Sequence, residues 1–165
     1  GMPLPLAFGH GIFAAAGLKT RVVAVRVTTA PYTTPEKARK LFSRTLGLLR
    51  RADPSFPDRA FPEAQFSLRD EFLGEGYARY TEAGAAAVRA VKALEGVSLE
   101  GTYTGKALAC LISDGASGIL EGRTVLFWNT YNGQSQEDVL KNVDYHQLPE
   151  GFHRYFQEPV QALDA

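Results

Sequence analysis

Two apolar, β-branched runs separated by helical patterns constrain this chain more than any other feature of its sequence. Residues 21–28 (RVVAVRVT) and residues 124–128 (TVLFW) have the composition of strands that are buried on both faces. Phe66 and Leu68 alternate with polar neighbours, as in a short strand. Because neighbouring parallel strands need a crossover connection, strands separated by helices predict an α/β fold with a mostly parallel sheet.

Helix boundaries are marked between these runs. Thr34 followed by Pro35 predicts a helix start, and the apolar spacing continues for about 17 residues, to the neighbourhood of Arg51. A second helix begins at Thr81 and ends at Gly96, where a glycine C-cap is expected.

Two further helices complete the pattern, one over residues 9–17 with a glycine end and one from Thr104 to about Ser113. With a brief extended piece at residues 97–99, the predicted order is α-β-α-β-α-β-α-β. We therefore expect helices on both faces of the sheet.

Length and composition favour one domain. The chain has 165 residues, 45% of them hydrophobic, which is enough for one compact core. We expect residues 2–135 to form a single α/β domain and residues 136–165 to form a C-terminal tail that packs on it, helical at residues 138–145. Gly1 before Met2 resembles a scar of tag removal, so that the natural product would begin at Met2.

Charge and cysteine content argue against several classes of protein. Eighteen basic residues balance eighteen acidic ones, so the chain lacks the basic surface of a nucleic-acid binder. Cys110 is the single cysteine, and no Cys and His cluster has the spacing of a zinc site. No apolar run approaches the roughly 18 residues of a membrane helix. We expect a cytoplasmic protein with no metal, nucleic-acid or membrane partner.

The first candidate site segment is residues 74–77 (GEGY). Glycines beside a tyrosine allow the backbone to approach a ligand closely, and the phenol of Tyr77 supplies a hydrogen-bond donor. Gly76 lies next to that phenol in the sequence. The alternative is a plain turn between a strand and a helix.

The second candidate segment is residues 101–106 (GTYTGK). We predict that Thr104 caps the following helix, which leaves backbone N–H groups available to an anion, and that Tyr103 lies just outside that helix end. Lys106 lies in the first helical turn, against the preference of the helix dipole. Simple capping and a surface lysine are the alternatives.

The third candidate segment is residues 127–133 (FWNTYNG), directly after the predicted strand. Asn129, Thr130 and Asn132 would lie at the carboxyl end of that strand, where ligands bind in α/β proteins. An Asn-Gly turn that only ends the strand is the alternative. The histidines are scattered without evident acid partners, and Cys110 is expected to be a small buried residue of its helix.

The order of these motifs resembles one family. GEGY, TEAG before an alanine-rich helix, YTGKA and a VLFW strand leading into NTYNG are similar to the C-terminal half of fold-type II pyridoxal-phosphate enzymes. The resemblance is to the D-cysteine desulfhydrase and aminocyclopropane-carboxylate deaminase family. It implies a tryptophan-synthase-beta-like α/β fold, present here in incomplete form, and a pyridoxal phosphate cofactor in the complete enzyme.

The resemblance also implies roles for individual residues. Tyr77 and Tyr103 match the two tyrosines of the family's active site, and Thr130 matches a threonine near the pyridine nitrogen of the cofactor. Thr104 stands where the deaminases have glutamate, which is similar to the desulfhydrase branch and favours β-elimination over ring opening. Gly76 and Asn129 are added as cofactor-binding candidates.

Two parts of the family's site have no counterpart in these motifs. The lysine that holds the cofactor and the glycine-rich loop that binds its phosphate belong to the family's N-terminal half. We therefore expect this chain to be inactive alone and to bind no cofactor unless Lys106 or Lys19 replaces that lysine. A truncated lyase or deaminase for a small amino acid is one interpretation. The alternative is a non-catalytic α/β module that forms a homo-oligomer or completes a site with a separate N-terminal partner.

Overall fold

The computed structural model describes residues 16–30, 32–158, 161 and 163. Its contacts divide the chain into two units, Gly1–Tyr77 and Ala78–Ala165, which we describe separately. The helix predicted at residues 9–17 lies outside the described residues, except for a turn at residues 16–17. No helix of the described residues is long and apolar enough to span a membrane.

The first unit contains one strand-helix-strand element. Strand β1 (Val22–Val25) is followed by helix α1 (Pro35–Ala52), a short 3₁₀ turn and strand β2 (Phe66–Arg69). The two strands pair in parallel, with Val22 opposite Phe66. The predicted strands at residues 21–28 and at Phe66 and Leu68 are thus confirmed, the first with a shorter extent.

Local sequence explains where α1 begins and what it covers. The Thr34 hydroxyl accepts a hydrogen bond from the Lys37 backbone N–H at 3.3 Å, and proline occupies the first helical position, as predicted. Phe42 is buried on the apolar face of the helix. Its ring meets Phe61 edge to face at 5.3 Å between centroids, and Phe61 meets Phe66 of β2 at 5.2 Å. These rings connect α1 to the sheet.

The second unit is built on two helices, α2 (Glu82–Glu95) and α3 (Thr104–Ala116). The Thr81 hydroxyl accepts from the Gly84 N–H at 3.0 Å, and Gly96 ends α2 in the left-handed conformation with φ +67°. Both boundaries agree with the sequence prediction. The buried apolar residues of the helix pair are mostly small: Ala85, Ala87, Leu108, Ala109 and Cys110.

Glycine is required where α2 and α3 cross. A Cβ atom on Gly105 would lie 3.0 Å from the Glu100 carbonyl oxygen, 3.1 Å from the Gly84 carbonyl oxygen and 2.8 Å from a Val88 methyl. Two of these neighbours are backbone atoms and cannot move without separating the helices. The glycines of the TEAG and YTGKA motifs therefore serve helix packing.

The described residues after α3 form only short elements. Helix α4 (Glu137–Leu140) and helix α5 (Arg154–Gln157) have four residues each, and 3₁₀ turns lie at Tyr145–Gln147 and Glu150–Phe152. The helix predicted at residues 138–145 is thus shorter than expected. Its apolar side chains Val139, Leu140 and Val143 are exposed, so no buried face stabilises a longer helix.

The strand predicted at residues 124–128 is wrong. These residues have no regular structure, and Leu126 is 78% exposed. A strand is stabilised by its hydrogen-bonded neighbours, and no strand is present in the described part of the second unit. The sheet of the described residues has two strands. These residues agree with an α/β class but do not show the predicted larger sheet with helices on both faces.

We predict that Gly105→Ala lowers the free energy of unfolding by about 1–3 kcal/mol, because the new methyl overpacks the helix crossing. Urea denaturation followed by circular dichroism measures the change. Gly115→Ala is the matched control, since its Cβ would meet no atom within 4 Å in the same helix. The control should be neutral or stabilising by up to about 1 kcal/mol. Equal effects of the two substitutions would contradict the packing role of Gly105.

Candidate functional site

A cavity of about 230 Å³ in the second unit combines two of the three candidate segments. One wall is the start of α3, and the other is the irregular segment after residue 128. The lining residues are Glu100, Tyr103, Thr104, Thr130, Tyr131 and Asn132. Three of the predicted site residues, Tyr103, Thr104 and Thr130, therefore lie around one cavity.

The carboxylate of Glu100 organises the first wall. Its oxygens accept hydrogen bonds from the backbone N–H groups of Thr102, Tyr103 and Thr104, each at 2.7 Å. These N–H groups have no partner within the helix, and the positive end of the helix dipole favours an anion there. The anion position predicted at this helix end is thus occupied by a carboxylate of the chain itself.

Thr104 is bound differently from the prediction. Helix α3 begins at Thr104, with Tyr103 at the cap position, so Thr104 is the first helical residue and not the cap. Its hydroxyl accepts from the Glu100 N–H at 3.0 Å and lies 3.2 Å from both the carbonyl and a carboxylate oxygen of Glu100. Glu100 replaces the threonine as the capping group, because its longer side chain reaches three N–H groups at once.

In the second wall, asparagine side chains accept hydrogen bonds from the backbone and so stabilise turns. The Asn129 side-chain oxygen accepts from the Tyr131 N–H at 3.0 Å, and that of Asn132 accepts from the Gln134 N–H at 3.1 Å. Such bonds are typical of asparagine in turns. The bond at Asn132 agrees with the Asn-Gly turn of the alternative interpretation, although the segment before it is not a strand. Asn129 is not part of the cavity lining, whereas Thr130 and Asn132 are.

Gly76 and Tyr77 are the last residues of the first unit. Gly76 has φ +154°, a backbone conformation that side-chain-bearing residues rarely adopt, and Tyr77 is 53% exposed. Neither residue is among those that line the cavity of the second unit. Their proposed site role stays a prediction of the motif resemblance.

Lys106 is fully buried, in contrast to the surface position considered from the sequence. Burial lowers the pKa of its ammonium group below the ordinary value, and the nearby Glu100 carboxylate opposes part of that shift. Lys106 lies in the first turn of α3, and its charge therefore interacts with that of the capping residue Glu100. Cys110, on the same helix, is buried as predicted.

Two of the three histidines, His146 and His153, are less isolated than the sequence indicates, and His10 lies outside the described residues. The Nδ1 atom of His146 lies 2.7 Å from a carboxylate oxygen of Asp144, and the rings of His146 and His153 are 5.5 Å apart. The pKa of Asp144 is lowered, mainly by the hydrogen bond from His146. In the described part of the chain, however, no group of three or more His, Cys, Asp or Glu residues could hold a metal ion.

Two residues of the cavity were missed by sequence reasoning. Glu100 precedes the predicted helix start by four residues, and an acid near a helix start could have indicated a capping carboxylate. Tyr131 lies within a segment already selected, but its aromatic side chain carried no separate signal.

Comparison with known proteins gives a local similarity. A segment of 50 residues is 44% identical to the D-cysteine desulfhydrase of Klebsiella pneumoniae (strain 342). That segment covers 30% of this chain and 15% of the relative, so the similarity spans a small part of the relative's length. No family model matches the chain.

We predict that Glu100→Ala destabilises the protein by about 1–3 kcal/mol, because three backbone N–H groups at the start of α3 lose a charged acceptor. Chemical denaturation at neutral pH measures the loss. Glu95→Ala is the matched control, since Glu95 is exposed in the last turn of α2 and should change stability by less than about 0.5 kcal/mol. If the two variants were equally stable, the capping role of Glu100 would be wrong.

We predict that the free energy of unfolding increases as the pH rises, because of the buried ammonium of Lys106. Between its lowered pKa in the folded chain and its ordinary pKa, the unfolded chain binds more protons, so stability increases with pH in that alkaline window. Lys106→Met should flatten this increase, measured by denaturation at several values between about pH 8 and 10.5.

Lys40→Met on the exposed face of α1 serves as the control and should keep the pH dependence of the unchanged protein. An unchanged slope in Lys106→Met would show that burial of this ammonium is not linked to folding.

Proposed function

We propose that this chain is the C-terminal portion of a pyridoxal-phosphate-dependent lyase that acts on a small amino acid by β-elimination. One observation carries the proposal. Tyr103, Thr104 and Thr130, which the motif resemblance assigns to the substrate and cofactor site, come from segments 26 residues apart and line the same cavity. The local identity to a D-cysteine desulfhydrase supports the same activity.

The cavity's chemistry suits one side of a pyridoxal phosphate ring. Hydroxyl groups of Tyr103, Thr104 and Thr130 and the amide of Asn132 are neutral hydrogen-bonding groups that can bind a heterocycle and its substituents. At about 230 Å³ the cavity is smaller than those that enclose a whole ligand. We therefore assign to this chain one wall of a larger site. When bound, the cofactor supplies the electron withdrawal that β-elimination requires.

Under this proposal Thr130 would lie near the pyridine nitrogen, as the motif resemblance implies, and Thr104 would be the neutral residue that replaces the deaminase glutamate there. An unprotonated pyridine nitrogen accepts a hydrogen bond, and the Thr104 hydroxyl could donate it in place of its 3.2 Å contacts with the carbonyl or carboxylate oxygen of Glu100. The Glu100 carboxylate already accepts three backbone hydrogen bonds, which directs its charge to the helix end. A neutral partner at the nitrogen favours elimination of a good leaving group over opening of a carbon ring.

Tyr103 would orient the substrate or carry a proton. It is 44% exposed, and its backbone N–H is held by Glu100, so its side chain projects from a fixed point at the start of α3. Asn129 would support Thr130 through its neighbouring turn. The roles of Tyr77 as a second tyrosine and of Gly76 as a cofactor-binding residue are proposed from the motif resemblance alone. The lysine and phosphate loop would come from another polypeptide segment.

Exposed apolar side chains support the proposal that another polypeptide contacts this chain. Leu126 and Trp128 precede the cavity wall and are 78% and 44% exposed, and Val125 is also exposed. Clustered apolar side chains of this kind usually contact another protein surface. The same observation favours a second candidate function, a non-catalytic module that forms a homo-oligomer or binds a separate N-terminal half.

A test combines this chain with the N-terminal half of the Klebsiella pneumoniae D-cysteine desulfhydrase and measures sulfide release from D-cysteine. We predict that Tyr103→Phe lowers kcat of the assembly by about 10²–10⁴-fold, because a positioned hydroxyl is lost from the site. Tyr155→Phe is the matched control, since Tyr155 is exposed on α5 outside the cavity, and it should retain full activity.

The outcomes separate the two candidate functions. An assembly that forms but releases no sulfide would contradict the lyase and favour the non-catalytic module. Pyridoxal phosphate added to the chain alone should give no absorbance band of a lysine-bound cofactor. Such a band would contradict the need for a partner, and Lys106→Met and Lys19→Met would then locate the lysine.

A further inference from the structure

Helix α1 carries a local excess of positive charge that the balanced composition of the chain does not reveal. Six of its side chains are basic and one, Glu36, is acidic. Four of the basic residues are exposed and follow one another at spacings of three, four and seven residues, which places them on one side of the helix. We refer to these four residues, Lys37, Lys40, Arg44 and Arg51, as the basic stripe.

The four cationic groups of the basic stripe lie about one helical turn apart. Lys37, Lys40 and Arg44 do so by their positions in the sequence. Arg51 is two turns beyond Arg44, but its guanidinium folds back toward the start of the helix, since a Cβ atom on Gly47 would lie 3.8 Å from its Nη1 atom. Position 47 is one turn after Arg44, so the charge of Arg51 continues the row at the same interval.

The basic residues of α1 outside the stripe have carboxylate partners. Arg39 forms ion pairs with Glu63 and with Glu36, the latter at 3.5 Å between Nη1 and Oε1. Arg50 forms one with Asp58, at 2.8 Å between Nη1 and Oδ2. Carboxylates of the chain itself thus neutralise these two arginines.

The basic stripe has no counter-charge of this kind. In the part of the chain that the structure describes, none of its four cations forms an ion pair with a carboxylate. The Lys37 ammonium lies over the Tyr32 ring, 5.7 Å from its centroid. Like charges one turn apart on a helix repel each other and lower its stability. A partner that supplies negative charge would therefore remove a repulsion that the folded chain retains.

The surroundings of the stripe argue against a membrane and a nucleic acid as this partner. The apolar residues Ala38, Phe42 and Leu46 are buried, so α1 has no apolar face that could insert into a membrane. A phosphate backbone is charged along its whole length. It would also meet the carboxylates of Glu36 and Asp58, which are 74% and 73% exposed beside the two ends of the stripe.

An acidic protein helix fits the same surface better. It can place carboxylates one turn apart, at the interval of the stripe, and carry uncharged residues where the chain has its own carboxylates. Leu48 is 59% exposed and lies between Arg44 and Arg51 in the sequence. Its side chain offers an apolar contact beside the charges, a combination that is typical of protein–protein interfaces.

We propose that the basic stripe of α1 binds an acidic amphipathic helix of a partner protein, whose carboxylates lie one turn apart and whose apolar side chains contact Leu48. Exposed ion pairs each contribute little affinity, but complementary charge directs association and selects the partner. Binding is therefore weak, specific for the spacing of the charges and sensitive to salt. The inference rests on the first unit alone and does not depend on the proposed lyase activity.

Fluorescence anisotropy of a labelled synthetic helix, titrated with the full chain, tests the proposal. The probe is an alanine-based peptide with glutamates one turn apart along one side and leucines beside them. We predict that Lys40→Gln, Arg44→Gln and Arg51→Gln together weaken its binding about tenfold, because three ion pairs are lost. Binding to the unchanged chain should also weaken when sodium chloride is raised from about 0.05 M to about 0.5 M.

The matched control removes the same charge elsewhere in the first unit. Lys19, Arg21 and Arg59 are exposed basic residues outside α1. Their combined replacement by glutamine should change the affinity for the peptide by less than about twofold, since distant exposed charges are screened. Urea denaturation should show that the stripe variant is at least as stable as the unchanged chain, because a repulsion is removed.

A second peptide tests the spacing without any substitution in the chain. It has the same composition with its glutamates distributed around the helix, and it should bind about fivefold more weakly than the probe. Equal affinity for the two peptides, equal weakening by the two triple variants or no binding of the probe would overturn the proposal. Tighter binding of a DNA duplex or of phosphatidylserine vesicles than of the probe, lost in the stripe variant, would overturn it in favour of a nucleic acid or a membrane.

Discussion

The carboxylate of Glu100 is the interaction on which the candidate site depends. It gathers three backbone N–H groups at the start of α3, and so determines where that helix begins and where Tyr103 leaves it. The same residue lies near the buried ammonium of Lys106 and lines the cavity of the candidate site. A single charged side chain therefore connects helix capping, the buried cation and the cavity wall.

The motifs have a structural role as well as the functional one that we propose. Gly84 and Gly105 let α2 and α3 approach closely, and Thr81 caps α2. These contacts would be needed whatever the protein binds, so the motif spacing alone does not establish an activity. The functional argument depends on the residues that packing does not require, which are the half-exposed Tyr103 and the exposed Thr130.

Local signals in the sequence predicted the elements that local interactions stabilise. Thr34 with Pro35, and Thr81 with Gly96, mark helix ends through their own hydrogen bonds or backbone conformation, and both helices form as predicted. The prediction of a strand at residues 124–128 failed, because a strand depends on neighbouring strands that its own sequence does not specify. Thr104 was predicted to cap α3 but is its first helical residue, because the capping group, Glu100, comes from outside the predicted helix.

We propose that the Thr104 and Thr130 segments form one wall of a pyridoxal phosphate site. The most direct measurement is a two-dimensional amide NMR spectrum of the isotope-labelled chain, combined with the unlabelled N-terminal half of the Klebsiella pneumoniae enzyme, before and after pyridoxal phosphate is added. We expect the largest chemical-shift changes at the Thr104 and Thr130 amides, while the amides of α5 remain unchanged. Cofactor binding that leaves both threonine amides unshifted would contradict it.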